Sequence, residues 1–248
     1  MPEIDVPTGK ALRVLQDVIA LDGSPFNPKD YSARSGIPTP NLYRHLEILI
    51  KSGLLVRVRR SRYLPHPNFL KLLEPFNAQK VLGSIIRPLL EQAAQQIPAT
   101  LHFGVLENDM VTYVAKVDNR EKGMFTEENI QLEAYCSAIG KCLLATLEPE
   151  KLDDYLSAFE FPKLTGNTLT DPKAIRQEIV KTRRRGYGID NREILEELVC
   201  IAVPVTLNNG NTIGAVSAAS TLIDLSGQPR KTIVGQLNDI AEKIGNLL

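Results

Sequence analysis

The chain has 248 residues, of which 43% are hydrophobic and 23% charged, and its formal net charge is zero. This length favours two domains, and the composition is that of an ordinary globular protein. No apolar run approaches the length of a membrane span, and the first residues lack the pattern of a secretory signal, so we expect a cytoplasmic protein that does not contact a membrane.

Neither the cysteines nor the histidines form a recognisable site. Cys136, Cys142 and Cys200 contain no CxxC pair, which argues against a disulfide framework and against a cysteine zinc cluster. The three histidines are far apart in sequence and share no ligand spacing. The segment "IGK" at 139–141 lacks the rest of the phosphate-loop pattern. We therefore predict no metal and no cofactor.

Positive charge is concentrated near the N-terminus. Residues 1–75 hold eleven Lys/Arg and seven Asp/Glu, and within them residues 29–62 hold eight Lys/Arg and two Asp/Glu. The rest of the chain has an excess of four negative charges. A local positive excess of this size attracts polyanions, although charge alone does not exclude an ordinary solvated face.

Two helices are predicted before residue 36. The three- and four-residue spacing of the apolar residues predicts the first, over 10–21; these residues are Leu12, Val14, Leu15, Val18 and Ile19. Asn27 as N-cap and Pro28 at the first helical position predict a short second helix over 28–35. Gly36 then favours a tight turn.

A third helix and a basic hairpin complete this pattern. Residues 39–51 predict a helix whose apolar side chains face inward, and residues 54–64 predict two short strands that turn near 60–61. Together these elements predict a winged helix-turn-helix over residues 1–75, in which the third helix enters the DNA major groove and the hairpin arginines meet phosphate or the minor groove. The predicted DNA-binding residues are Thr39, Asn41, Tyr43, Arg44, Arg57, Arg59, Arg60 and Arg62. A winged helix used only for protein contacts is the alternative.

The rest of the chain predicts a linker helix and an α+β domain. Residues 76–98 read as a linker helix interrupted at Pro88, and a second domain follows over 99–248. Strands flank Glu107-Asn108-Asp109 and also Asn209-Gly210, where the sequence favours a type I′ turn. The predicted helices of this domain span 138–147, 149–158, 172–185 and 229–248. Their irregular alternation with strands predicts an antiparallel sheet with helices packed on it.

Three segments of the chain resemble the IclR family of bacterial transcription regulators. They are "GIPTPNLYRHLEILIKSGLL", "AYCSAIGKCLLATLEPEKLDDYL" and "LTDPKAIRQEIVKTRRRGYGIDNREILEELVCIAVPV". The resemblance covers nearly the whole chain and departs at Pro40, where the family usually has a phosphate-contacting serine. It implies a GAF/PAS-like effector domain and a regulator of transcription. Such a regulator would bind double-stranded DNA at a pseudo-palindromic operator, as a homodimer or a dimer of dimers.

The resemblance also implies a small-molecule effector, often a carboxylic or aromatic acid. Carried over by position, the effector-binding residues are Met124, Ser137, Ala138, Ile139, Asp190, Leu198, Cys200, Ser217 and Ala219. Backbone N–H groups at a helix start near Ser137 suit a carboxylate. Asp190 would repel an anion unless it accepts a hydrogen bond from a ligand hydroxyl or a water.

Simpler interpretations of these residues stay open. Ser137 can serve as a helix cap, Cys200 as a small buried apolar residue, Asp190 in a turn, and Ser217 as a partner of the backbone. A thiol enzyme that pairs His102 with a cysteine is the remaining alternative. No local motif brings such a pair together and no carboxylate pair indicates acid–base catalysis, so we expect a regulator and not an enzyme.

Overall fold

The computed structural model describes residues 7–21, 24, 26–59, 62–73, 77–118, 126–158, 160–221 and 223–248. The chain divides into two compact units, Met1–Asn77 and Ala78–Leu248. Among the described residues, no helix has both the length and the apolar character needed to cross a membrane.

The described residues of the first unit form four helices and one hairpin. Its elements are α1 Pro7–Ala20, α2 Pro28–Ser35, α3 Thr39–Lys51, β1 Leu55–Arg59, β2 Arg62–Pro65 and α4 Pro67–Leu73. Strands β1 and β2 pair in antiparallel fashion. The predicted bounds of α2 and α3 are confirmed, whereas α1 begins at Pro7 and not at residue 10.

Local signals explain how α2 and α3 are placed. The side chain of Asn27 accepts a hydrogen bond from the Lys29 N–H (3.1 Å), and Gly36 ends α2 in the left-handed conformation at φ 71°. The inward side of α3 packs on α1 and Tyr63; the buried residues include Val14, Leu15, Val18, Leu42, Leu46 and Leu49. Leu12 and Ile19 share the periodic pattern of α1 but are 51% and 39% exposed.

The second unit is built around one sheet. Its elements are α5 Ala78–Ala94, β3 Thr100–Glu107, β4 Met110–Val117, β5 Gln131–Glu133, α6 Ala138–Leu144, α7 Pro149–Ala158, α8 Pro172–Arg185, β6 Gly188–Asn191, β7 Val199–Thr206, β8 Thr212–Ser220 and α9 Gly227–Leu247. The strand order is β5-β4-β3-β8-β7-β6, and every neighbouring pair is antiparallel. The predicted α+β arrangement of this unit is confirmed.

Helices cover both faces of the sheet. Along β7, Cys200 and Ala202 belong to one apolar core, which they share with α6, α7 and α8. Ile201 and Val203 belong to a second core with α5 and α9. Successive side chains of a strand point to opposite faces, so β7 is apolar throughout because each face meets helices.

Three details of the second unit differ from the sequence predictions. Helix α5 continues through Pro88. Pro88 has no N–H to donate to the Ser84 carbonyl, but both residues are exposed, so water can bond that carbonyl instead. Helix α6 ends at Leu144 and not at 147, and α9 starts at Gly227 and not at 229.

A type I′ turn connects β3 to β4, and not β7 to β8 as the sequence predicts. Asn108 and Asp109 both have positive φ (50° and 65°) and connect β3 to β4 directly, which is the type I′ geometry. Between β7 and β8 the N–H of Gly210 bonds the Leu207 carbonyl (2.9 Å), and in this turn φ is positive at Gly210 but not at Asn209. The type I′ prediction at Asn209-Gly210 is therefore wrong, because the loop is longer than two residues.

Two glycines of α9 make a matched test of this packing. A Cβ added at Gly245 would lie 2.4 Å from the Thr206 carbonyl oxygen of β7, whereas a Cβ at Gly235 would meet nothing within 4 Å. We expect G235A to raise the free energy of unfolding by roughly 0.5–1 kcal/mol through helix propensity. We expect G245A to lower it by about 1–3 kcal/mol, because α9 must move off the sheet. Urea denaturation followed by circular dichroism measures both, and equal stability of the two variants would contradict this packing.

Candidate functional site

A cavity lies between the sheet and α6. Its volume is about 10 Å³. It is lined by His102, Tyr113, Thr126, Leu132, Ser137, Ala138, Ile139, Asp190, Ile194, Leu198, Cys200, Ser217 and Ala219. The space as it stands holds about one water, so a larger ligand requires the lining side chains to move.

Strand register brings the predicted effector residues together. Eight of the nine line this cavity, and the ninth, Met124, lies outside the described residues. Asp190 on β6 pairs with Cys200 on β7, which pairs with Ala219 on β8. Ser217 on β8 is also the partner of His102 on β3. The cavity wall is thus a row of cross-strand neighbours, and the role of these residues in binding stays a prediction.

Sequence reasoning missed five residues of the cavity wall. They are His102, Tyr113, Thr126, Leu132 and Ile194. The rings of His102 and Tyr113 lie 4.6 Å apart between centroids. The alternation of side chains along β3 and β4 indicates which face of the sheet His102 and Tyr113 occupy. The pairing of the two strands shifts between Phe103 and Gly104, however, and that irregularity cannot be located from one sequence.

Asp190 is the acidic group in the cavity wall. It is fully buried, and its Oδ1 accepts a hydrogen bond from the Glu193 N–H (2.7 Å). Its Oδ2 has no hydrogen-bond partner among the described residues. Burial raises the pKa of this carboxyl to about 7, although the Glu193 N–H and the charge of Lys141 favour the ionised form. Asp190 lies on strand β6, and its side chain accepts from the Glu193 N–H of the turn that follows, which is the turn chemistry that the simpler interpretation gave it.

A buried ion pair lies beside Asp190. Lys141 on α6 is 1% exposed, and its Nζ donates to the Ile189 carbonyl (2.9 Å) and pairs with Glu193 Oε1. Burial raises the pKa of Glu193 above its ordinary value, and the ammonium of Lys141 opposes that rise. The charge of Lys141 is compensated by Glu193, and the wall of the cavity contains no Lys or Arg among the described residues.

The other polar groups of the wall are neutral. His102 Nε2 lies 2.8 Å from Thr126 Oγ1, and Nδ1 has no partner among the described residues. Burial, helped by the charge of Lys116, lowers the pKa of His102 to about 3, so the ring is uncharged at neutral pH. Ser137 Oγ accepts from the Gly140 N–H (3.0 Å) and therefore caps α6. Ser217, which is 3% exposed, adds a hydroxyl to the wall.

The thiols have the properties of buried apolar residues. Burial raises the pKa of Cys142 to about 12 and raises those of Cys136 and Cys200 as well. Cys200 and His102 both line the cavity, but a raised thiol pKa and a lowered imidazole pKa prevent a thiolate–imidazolium pair. In the parts of the chain that the structure describes, no three His, Cys, Asp or Glu side chains cluster as a metal site.

The first unit exposes the predicted cationic surface. On α3, Asn41, Tyr43 and Arg44 are exposed and Thr39 is half-buried. Three arginines of the hairpin, Arg57, Arg59 and Arg62, are also exposed, and Arg60 lies outside the described residues. Within the described ranges, no carboxylate lies at salt-bridge distance from Arg44 or from these three arginines.

Two of these arginines face each other across the hairpin. Arg59 on β1 is the register partner of Arg62 on β2. Like charges directly opposite on neighbouring strands destabilise the pairing. The hairpin therefore keeps an unfavourable arrangement that an anionic partner would relieve.

Residues 79–246 match the family profile described as "Bacterial transcriptional regulator IclR C-terminal". The chain therefore belongs to the IclR family of bacterial transcriptional regulators, a family of regulators and not of enzymes.

Curated relatives and solved structures agree with this assignment. The chain is 26% identical to the uncharacterized HTH-type transcriptional regulator RhmR of Escherichia coli, over 86% of this chain and 82% of that protein. It is 32% identical to the regulator KdgR of Escherichia coli, over 58% of this chain and 56% of KdgR. An IclR homologue from Microbacterium hydrocarbonoxydans, crystallised in complex with 4-hydroxybenzoate, shares the fold with a TM-score of 0.62 and 23% identity over 97% of this chain and 98% of that one.

Because Lys141 and Glu193 are buried together, we expect the single variant to lose much more stability than the double variant. K141M leaves the Glu193 carboxylate buried without its counter-ion, and we expect a loss of about 3–5 kcal/mol in the free energy of unfolding. K141M/E193L removes both charges and is expected to recover most of that loss. Chemical denaturation of the two variants and the unmodified chain decides this. A single variant that loses less than about 1 kcal/mol would show that the pair is not buried as described.

Proposed function

We propose that this regulator binds specific double-stranded DNA through its first unit and is controlled by a small organic acid bound in the cavity of the second. The observation that carries the proposal is the set of exposed arginines on α3 and the β1–β2 hairpin, which have no acidic partners among the described residues. In this proposal the first unit is a winged helix-turn-helix, residues 76–98 link the two domains, and residues 99–248 form the effector domain.

The geometry of α3 supports a role as recognition helix. Leu42 and Leu46 are buried, so the intervening Tyr43 and Arg44 are held outward on a rigid element. Asn and Arg are the side chains that form bidentate hydrogen bonds with adenine and guanine edges in the major groove. We assign base contacts to Asn41 and Arg44, and backbone contacts to Thr39 and Tyr43.

The arginines of the β1–β2 hairpin are suited to contact DNA phosphates. Each neutralised phosphate releases a condensed counterion, which gives the wing arginines a gain that does not depend on base sequence. Arg57, Arg59, Arg60 and Arg62 are assigned to this role. A winged helix that binds protein and not DNA has no need of paired, repelling arginines such as Arg59 and Arg62.

The cavity supports an effector of limited size and mixed polarity. Leu198, Ile139 and Ala219 supply apolar walls, while Ser217 offers a hydroxyl and His102 a neutral ring nitrogen. Apolar walls with a few oriented polar groups are typical of small-molecule sites. The Microbacterium homologue was crystallised with 4-hydroxybenzoate. We assign this chain an aromatic or carboxylic acid of similar size, bound by hydroxyl donors and not by a cation.

In this proposal the effector regulates DNA binding by changing the populations of two conformations of the protein. We propose that the chain acts as a homodimer or a dimer of dimers, which requires a pseudo-palindromic operator. An effector that binds one arrangement more tightly than another changes the fraction of protein able to contact both half-sites.

The wing arginines provide the test of DNA binding. We expect R59A/R62A to weaken binding to operator and random DNA alike and to reduce the slope of log K against log salt by about 2 for each bound protomer, because each protomer loses two phosphate contacts. The control, R184A/K231A, removes the same charge from exposed positions of the second unit. Fluorescence anisotropy with DNA from upstream of the chain's own gene measures both. Equal slopes for the two double variants, or a slope near zero in the unmodified chain, would contradict the proposal.

Ser217 provides the test of the effector site. We expect S217A to weaken binding of 4-hydroxybenzoate by roughly 2- to 10-fold, since one neutral hydrogen bond is lost, and to leave DNA binding without effector unchanged. S157A, on the exposed side of α7, is the matched control and should bind the acid like the unmodified chain. Isothermal titration gives the affinities. A loss as large in S157A as in S217A would count against the cavity as the binding site.

A further inference from the structure

We propose that Asp190 binds the acid group of the effector directly, as a carboxyl–carboxylate pair that holds one shared proton, so that binding takes up a proton above neutral pH. This inference rests on the proposed function, because it takes the effector to be an acid. It adds the requirement that a proton be shared between Asp190 and the effector, which an acidic effector alone does not impose.

Asp190 is fully buried in the cavity wall, and one oxygen of its carboxyl group makes no hydrogen bond within the described residues. Its Oδ1 accepts a hydrogen bond from the Glu193 N–H, and the Ile194 N–H and the Cys200 thiol also interact with the carboxyl group, while Oδ2 makes no hydrogen bond within the described residues. The cavity is small, at about 10 Å³, and Asp190 forms part of its wall, so a ligand that enlarges it lies against this side chain. An unpaired buried carboxyl oxygen is costly, and a ligand hydrogen bond removes that cost.

Among the described residues, the wall around Asp190 offers no unpaired cationic side chain to balance a second negative charge. The titratable and charged groups that face Asp190 come from every neighbouring element: His102 on β3, Tyr113 on β4, Cys136 before α6, Lys141 on α6, Glu193 after β6 and Cys200 on β7. The ammonium of Lys141 is already paired with Glu193. The imidazole, the phenol and the two thiols are uncharged at neutral pH, since burial lowers the first pKa and raises the others.

Two adjacent carboxylates cannot both be ionised in such a site. When two carboxyl groups share a buried site, the pKa of one rises strongly, and the protonated group donates to the other. The proton balance is simple. The effector arrives as a carboxylate, one O–H···O⁻ hydrogen bond forms, and no covalent bond to carbon changes. At pH 6 Asp190 already carries the proton, and at pH 8 the proton comes from the buffer.

Calorimetry with 4-hydroxybenzoate tests the shared proton. Titration at pH 6 and pH 8, each in two buffers of different ionisation enthalpy, gives the number of protons taken up. With the pKa of free Asp190 at about 7, we expect uptake of about 0.1 proton at pH 6 and about 0.9 at pH 8, with binding about tenfold weaker at pH 8. 4-Hydroxybenzamide has no acid group, so its binding is expected to take up no proton at either pH.

An Asp190→Asn variant assigns the proton to this residue. D190N should lose both the proton uptake and the tenfold pH dependence. Infrared difference spectra without ligand should show a protonated carboxyl band that persists to about pH 7 and is absent from D190N. D224N is the control, because the N–H and hydroxyl of Ser226 lower the pKa of Asp224 and favour its ionised form. If D190N does not fold, proton uptake by the unmodified chain decides the matter.

The outcomes separate this inference from the proposed function. Binding of 4-hydroxybenzoate with no proton uptake and equal affinity at pH 6 and pH 8 overturns the shared proton and leaves the acid effector standing. No binding at pH 6, where the pair is most favoured, overturns both. Tighter binding at pH 8 than at pH 6 also overturns the pair.

Discussion

The register of the antiparallel sheet is the constraint on which the second unit depends. Because Asp190, Cys200 and Ala219 are successive cross-strand neighbours, and Ser217 pairs with His102, one face of the sheet becomes the cavity wall. A slip of one residue would turn each of these side chains to the other face, where α5 and α9 form an apolar core. The same register that fills the core therefore assembles the candidate site.

Charge is handled in opposite ways in the two units. In the second, Lys141 and Glu193 are buried and compensate each other, which leaves the cavity wall without a cation among the described residues. In the first, Arg59 and Arg62 are exposed, opposite each other and without an acidic partner in the described ranges. The cavity of the second unit, without a cation, suits discrimination of a small ligand by its protonation. The exposed arginines of the first unit suit a polyanion.

Most elements could be predicted because their signals are local. Asn27, Pro28 and Gly36 fix α2 through capping and turn chemistry, and the bounds of α3 follow from its apolar spacing. Pairing between distant strands could not be predicted in this way. Resemblance to a family supplied Asp190 and Ser217 by position, whereas His102 was missed because its cross-strand neighbour, Ser217 on β8, is 115 residues away in sequence. The Lys141–Glu193 pair joins residues 52 positions apart, and nothing in either local sequence indicates it.

The proposed DNA-binding surface and the proposed effector cavity lie in different units of the chain. Hydrogen-exchange mass spectrometry of the full chain, alone, with 4-hydroxybenzoate and with DNA from upstream of its gene, tests this in one experiment. We expect the acid to slow amide exchange in β6, β7 and β8, and the DNA to slow it in α3 and in the β1–β2 hairpin. Protection by DNA confined to the second unit, or by the acid confined to the first, would contradict the account.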